Sequence, residues 1–220
     1  MSLPRVPSQG GPEGPEEVRA YDALDRSASD RDFVAFLEDQ GCARGELLDI
    51  GTGPGDIPLL LVERDPELEV TGIDPSLDML RIARLKTAER GHSRRIRLLE
   101  VDATELPFER ECFDGAFAKH VLHHVSDPVA MLREALRVLR PGAPLVVRDL
   151  VRPGSEEELQ RLLQANVGDQ GEMQQRMFER TTRAAYTMDE YAAILAQVGF
   201  ESAELQRTSE RHVSFCIRKP

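Results

Sequence analysis

The chain reads as an α/β domain built on a doubly wound, mostly parallel sheet. Three observations predict it. Short apolar runs alternate with helical stretches across residues 46–150, a rhythm that calls for parallel strands joined by helical crossovers. The first of these runs, Glu46-Leu-Leu-Asp-Ile50, breaks into the glycine turn Gly51-Thr-Gly-Pro-Gly55 and then into a helical stretch, giving strand, tight turn and helix in that order. The length of 220 residues, 40% hydrophobic and 30% charged, suits one ordinary soluble core.

The elements follow in chain order. The opening MSLPRVPSQGGPEGPEE is rich in Pro, Gly and Glu and has no apolar signal-peptide core, so residues 1–15 read as a mobile leader and 16–220 as a single domain. Tyr21, Leu24, Phe33, Val34 and Leu37 recur at helical spacings with a break near residues 27–30, which predicts two short helices that Gly41 ends. A helix over Ile57–Arg64 follows the glycine turn, and Leu68–Ile73 is a second strand ending at Asp74-Pro75. Ser76 is the N-cap of a helix reaching about Arg90. Ile96–Val101 is a third strand ending at Asp102-Ala103, and Phe113–Ala118 a fourth, followed by Lys119-His-Val-Leu-His-His124. Asp127-Pro128 opens a helix to about Leu139, and Ala143–Leu150 is the fifth strand. Beyond it, Ser155–Val167 is helical, 168–182 is polar and Gln-rich, and Thr187-Met-Asp-Glu190 is a capping box for a helix ending near Gly199. Phe200–Leu205 and His212–Ile217 finish as an antiparallel hairpin on the sheet edge. Residues 16–40 and about 151–190 form a cap.

Composition narrows the partners. With 39 acidic against 28 basic residues the net charge is −11, which leaves no basic surplus for a phosphate backbone. The nearest basic cluster, Arg94, Arg95 and Arg97, reads as a solvated approach to a strand. Aromatic residues are 5% and Trp is absent, so base-stacking platforms are poorly supplied. Cys42, Cys112 and Cys216 are scattered and odd in number, against a disulfide framework or zinc knuckle and for a reducing compartment. No apolar run approaches the roughly 18 residues of a membrane helix. A small-molecule substrate, no nucleic acid, no membrane and the cytoplasm are the expectation.

Chemistry gathers at successive strand ends, where open parallel sheets bind ligands. The glycines after the first strand let the backbone approach a ligand closely, with the positive end of a helix behind them. Asp74 offers two acceptor oxygens suited to ribose hydroxyls, or else simply turns the chain before Pro75. At the third strand end, Asp102 can accept from an exocyclic amine while the N–H of Ala103 donates to a ring nitrogen. A nicotinamide dehydrogenase would share this frame, but its G-x-G-x-x-G fingerprint stands here as G-x-G-x-G with Asp56 following.

The runs L-L-D-I-G-T-G-P-G, V-T-G-I-D-P-S-L-D-M-L, V-D-A-T-E-L-P-F, F-D-G-A-F-A-K-H-V-L-H-H and L-R-E-A-L-R-V-L-R-P-G-A together resemble the class I S-adenosylmethionine (SAM)-dependent methyltransferases. The branch they are most similar to holds the ubiquinone/menaquinone C-methyltransferases. The resemblance implies a Rossmann-like, seven-stranded sheet with the last strand inserted antiparallel, and a helical cap that defines the substrate. It implies SAM as cofactor: Gly51, Gly53 and Gly55 at the methionine moiety, Asp49 organising its amino end, Asp74 on the ribose, Met79 on the adenine face, and Asp102 and Ala103 at the adenine. Lys119 carries over through its main chain only, because the family usually has a small or polar residue there. Tyr21 would close over the methionine end or serve as a core anchor.

For the reaction itself, His123 and His124 are candidate bases, since imidazole titrates near neutrality. His120 and His124 would share a helix face if that segment were helical, but no third metal ligand is in view, so no metal is expected. Arg148 and Asp149 end the fifth strand: they pair with each other, or Arg148 holds an anionic substrate, or Asp149 acts as base. His212 is a second substrate-binding candidate, and Arg183 and Tyr186 are polar residues around the cap. The expected function is methyl transfer to a small acceptor. Its alternatives are a SAM-binding, non-catalytic or regulatory member of the fold, or a methyltransferase acting on a protein side chain. Oligomeric state is not readable.

Overall fold

A computed structural model describes residues 3–8, 10–12 and 14–220. Strands β1 (Glu46–Ile50), β2 (Glu69–Asp74), β3 (Ile96–Glu100), β4 (Gly115–Lys119), β5 (Pro144–Leu150), β6 (Gln206–Arg207) and β7 (His212–Arg218) form one sheet in the order β3-β2-β1-β4-β5-β7-β6. β1 to β5 are mutually parallel, while β7 runs antiparallel to β5 and to β6. The order reverses between β1 and β4, so the crevice at their C-terminal ends is the switch point at which such sheets bind ligands.

Helices α1 (Gly14–Asp22) and α2 (Ser27–Asp39) precede the sheet; α3 (Asp56–Arg64), α4 (Leu77–Glu89) and α5 (Pro128–Val138) connect its parallel strands. α6 (Glu156–Val167), α7 (Glu172–Ala184) and α8 (Met188–Gln197) lie between β5 and β6. Side-chain oxygens start several of them as their sequences require. Ser76 accepts from the Met79 N–H, Asp127 from Ala130 and Ser155 from Glu158, while Thr187 and Glu190 complete a reciprocal capping box.

Strand alternation divides the core. Leu47, Val70, Ile96, Phe117 and Val146 pack with Phe33, Val34 and Leu37 of α2 and with Ile57, Leu61 and Val62 of α3. Leu48, Ile50, Ala118, Leu145, Val147 and Phe215 pack with Met131, Leu132 and Ala135 of α5 and Tyr191 and Leu195 of α8. Successive strand residues therefore serve opposite layers.

Three expectations are corrected, and one segment left without an element acquires a helix. The break between the first helices falls at residues 23–26, before Ser27 and not within 27–30. The Gln-rich segment contains α7, whose Met177 and Phe178 are buried. Residues 200–205 are not a strand; the partner of β7 is the two-residue β6, and the edge runs past it. Residues 3–8, expected as part of a mobile leader, are packed instead: Leu3 is buried and its N–H donates to the Gly154 carbonyl, while the Val6 N–H donates to Arg183. Arg5 donates to the Ala184 carbonyl at 2.7 Å, with its guanidinium 4.0 Å above the Tyr186 ring. No described helix is long and apolar enough to cross a membrane.

Candidate active site

A cavity of about 1110 Å³ opens at the C-terminal ends of the parallel strands. Its floor is the strand-end set: Gly51, Gly53, Asp74, Met79, Asp102, Ala103 and Lys119. α1, α6 and α7 supply cap residues to its walls, Tyr21 and Phe178 among them, and residues 10–12 border it.

The glycine turn is built for close approach. Gly51 has φ +72°, and a Cβ there would fall 2.3 Å from Val121 Cγ2. Gly53 has φ +52°, and a Cβ there would meet nothing within 4 Å. Any side chain at Gly53 would thus occupy open cavity space. Gly55 does not line the cavity; it begins α3 and packs on Ala83 of α4. Asp49 is likewise outside the wall: it is buried, its Oδ2 has no partner among the described residues, and burial pushes its pKa up to about 7.

Asp74 accepts the N–H of Ser76 on Oδ1 at 2.8 Å and that of Gly53 on Oδ2 at 2.9 Å. Each oxygen keeps a lone pair for a further donor. Burial raises its pKa, and the two N–H donors counteract the rise. Asp102, which lines the cavity, takes both the N–H and the hydroxyl of Thr104 on Oδ1, at 2.8 and 2.7 Å. Open space at Gly53 beside two acceptor carboxylates is a donor-recognising floor, and these residues fit an adenosine-bearing, amino-terminated cofactor. Met79, buried, supplies an apolar wall.

At the cap end, Tyr21 lies under the Arg26 guanidinium, 4.2 Å from its ring, and burial raises the phenol pKa. Lys119 is tied by its ammonium to Ser29 and Asp30 of α2. Burial lowers its pKa while Asp30 opposes the shift.

The histidines are arranged differently from the sequence expectation. The segment after β4 is no α-helix: His120 has a left-handed φ of +59°, and only Leu122–His124 form a 3₁₀ turn. His120 stacks on His212 across the strand ends, with centroids 4.9 Å apart. His120, His124 and His212 line the cavity; His123 and Asp149 do not, being fully buried and paired through Nδ1 and Oδ1. Asp149 also accepts the N–H groups of His123 and Leu150, so it clamps the 3₁₀ turn onto β5. Burial carries the His124 pKa down to about 2, with His123 adding to it, and that of His212 down to about 4, with Arg211 adding. His120 is held well below its ordinary value, by burial first. No group of three or more potential metal ligands is present among the described residues.

Arg148 and Asp149 neither pair with each other nor share a face. Being adjacent on a strand, they point to opposite layers. Arg148 turns to the α2 side, where it donates to Asp32 at 2.6 Å and Ser214 at 2.9 Å, and it does not line the cavity. Arg183 pairs with Glu156 and Glu179, and Tyr186 is buried. Sequence reasoning missed Arg5, Arg26, Arg180, Arg211, Asn166, Gln174 and Phe178, all of which line the cavity. Most sit on cap segments whose placement depends on tertiary packing; α7 alone has a readable trace, its apolar Met177-Phe178 pair inside a polar run.

Residues 48–147 match the family model of the methyltransferase domain. Over that stretch the chain is similar to methyltransferase domains. Over 107 residues the chain is 42% identical to the demethylmenaquinone methyltransferase of Thermus thermophilus, covering 49% of this chain and 48% of that one. The chain therefore spans about half the length of that curated relative. Two solved structures resemble it over nearly the whole chain. A SAM-dependent methyltransferase from Aquifex aeolicus has a TM-score of 0.70 at 18% identity, covering 94% of this chain and 100% of that one. The [4+2]-cyclase SpnF has a TM-score of 0.62 at 23% identity, covering 99% and 88%. At these identities the structural likeness is one of fold, and the methyltransferase domain's fold is shared by a protein named for a different reaction.

Proposed function

We propose that this methyltransferase domain binds SAM along the strand ends and transfers its methyl group to a small organic acceptor held under the cap. The observation that carries the reading is the joint placement of the Gly51–Gly53 turn, Asp74 and Asp102–Ala103 on one cavity floor. Bound there, SAM would supply an electrophilic methyl group on a sulfonium. Asp74 would accept the ribose hydroxyls, Asp102 and Ala103 would hold the adenine edge, and the glycine turn would admit the methionine end. Asp49 and Gly55 act on that turn from behind, through charge and packing. Tyr21 and Lys119 border the same region from α1 and β4.

The acceptor lies toward α6, α7 and the paired rings of His120 and His212. Orientation in a cavity shielded by the cap supplies the main acceleration. Of the candidate bases, His124 alone lines the cavity. Its imidazole is neutral, so its role is to accept a hydrogen bond from the acceptor, with the His123–Asp149 pair fixing the turn that presents it. The wide sequence spacing of Cys42, Cys112 and Cys216 fits a reducing, cytoplasmic setting.

A SAM-binding member that transfers no methyl group is the second reading, favoured by the likeness to the cyclase. Incubating the protein with methyl-labelled SAM and a panel of small phenols, carboxylic acids, amines and thiols separates the two. Label should move to at least one acceptor, and His124→Ala should lower that rate by about tenfold, the order of one lost hydrogen bond, with cofactor affinity unchanged. Tight cofactor binding with no transfer across the panel would favour the second reading.

A further inference from the structure

Among the described residues five cationic side chains line the cavity, and four are already engaged. Arg26 pairs with Asp56, Lys119 with Asp30 and Arg180 with Glu17. Arg5 donates to the carbonyls of Ala184 and His123. Arg211 differs. Its Nη1 donates to the amide oxygen of Asn166 at 2.9 Å, its Nε is buried without a partner, and no carboxylate among the described residues pairs with it. Its guanidinium lies 4.3 Å from the centre of the Phe178 ring of α7.

The position is fixed before any ligand arrives. Ser209 Oγ accepts the N–H groups of both Arg211 and His212 at 3.1 Å, which pins the turn entering β7. Burial alone brings the Arg211 pKa down to about 10. A guanidinium presents five N–H donors in a planar fork, and one so desolvated and so little used is costly unless an anion completes it. The cavity that it lines also holds the neutral His120 and His212, the amides of Asn166, Gln170 and Gln174, and the apolar Val167 and Met177. The glycine-turn end of the cavity has its own cations, Arg26 and Lys119, so Arg211 belongs to the acceptor side.

We propose that Arg211 is the specificity-determining residue of this methyltransferase domain, selecting an acceptor whose apolar body carries an anionic oxygen group, a carboxylate or an ionised phenol. The proposal rests on the methyl-transfer reading for what the acceptor is used for, though the anion site itself is a property of the cavity. The oxygens would take the free edge of the guanidinium, and the body would lie along Phe178, Met177 and Val167. Neutral imidazoles nearby add donors without adding charge that an uncharged acceptor could exploit.

Calorimetry on the protein saturated with S-adenosylhomocysteine tests this with matched probes: 1-hydroxy-2-naphthoate against its carboxamide, 4-nitrophenol as the ionisable phenol titrated at pH 6 and pH 8, and octanoate against octanamide. Each carboxylate should bind at least about tenfold more tightly than its amide, the margin of a charge-assisted over a neutral hydrogen bond, and 4-nitrophenol should tighten at the higher pH. Arg211→Gln and Arg211→Met should abolish these preferences and leave S-adenosylhomocysteine affinity unchanged; the Met variant keeps the packing on Phe178. The proposal is overturned if no anionic probe outbinds its neutral partner, if the preference survives both variants, or if either variant loses S-adenosylhomocysteine, which would assign Arg211 to the cofactor carboxylate. Should wild-type protein not bind S-adenosylhomocysteine, the methyl-transfer reading falls. The same titrations on the ligand-free protein then decide the anion site by the same criteria.

Discussion

Asp49 is desolvated within β1: it is 3% exposed, one of its oxygens has no partner among the described residues, and burial pushes its pKa up to about 7. A carboxylate whose pKa is raised by folding binds its proton more tightly in the folded than in the unfolded chain. Its contribution to stability is intact below the unfolded value near 4 and is lost as pH rises toward 7. Denaturant unfolding at pH 5 and pH 8 should therefore show Asp49→Asn relieving a loss that the wild type suffers at the higher pH, on the order of 3 kcal/mol. Equal pH dependence in the two proteins would contradict the burial argument. At this scale the floor was legible in the sequence, because Asp74, Asp102 and Ala103 stand at strand ends whose direction is set by alternation with helices. Arg148 and Asp149 could also have been sorted by the two-residue period of a strand, since one of them must leave the crevice. Arg211 gave no such signal: its meaning comes from Phe178 and Asn166, which lie far from it in sequence.

Among the elements, the β1–turn–α3 unit is the least tolerant of change. Gly51→Ala would impose a left-handed φ of +72° on a residue with a side chain and drive its Cβ to 2.3 Å from Val121. Strain and overpacking together should cost about 2–4 kcal/mol, read as a lowered thermal midpoint. Displacing Val121 also disturbs the turn bearing His120 and His124, so S-adenosylhomocysteine affinity should fall with it. Gly53→Ala makes the informative contrast: its Cβ meets nothing, so it should lose ligand affinity with a smaller stability loss. Helix starts were readable where a side-chain oxygen caps them, as at Ser76, Asp127 and Thr187. α7 was not, because Gly171 begins it without a side-chain cap and its exposed face is polar. The terminal hairpin was displaced because β7 finds its main pairing with β5 along seven residues, which leaves little for β6 to add.

For the whole molecule, specific polar ties hold the cap segments in place. Arg152 donates to the carbonyls of Leu3 and Ala185 and to Glu190, and Lys86 of α4 holds Asp22 of α1 and Asp56 of α3. Arg5, Pro7, Ser8 and residues 10–12 line one wall of the cavity. Deleting residues 1–12 should leave the sheet folded, as judged by circular dichroism, yet weaken cofactor affinity by about tenfold or more, since preorganised walls lower the cost of binding. Unchanged affinity would show that this segment contributes no binding surface. The doubly wound order and the antiparallel β7 follow from element sequence and family resemblance, whereas the packed N-terminal segment was hidden by its Pro- and Gly-rich composition. Ties such as Arg5 on Tyr186 leave no local pattern to read.

The most direct measurement is calorimetric titration of S-adenosylmethionine and S-adenosylhomocysteine into the wild-type protein and Asp74→Ala. Micromolar binding to the wild type, about −8 kcal/mol, and its loss in a folded variant are the expected results. Folded wild-type protein that binds neither ligand, or a variant that binds both as well as the wild type does, would contradict the assignment of the strand-end floor to this cofactor.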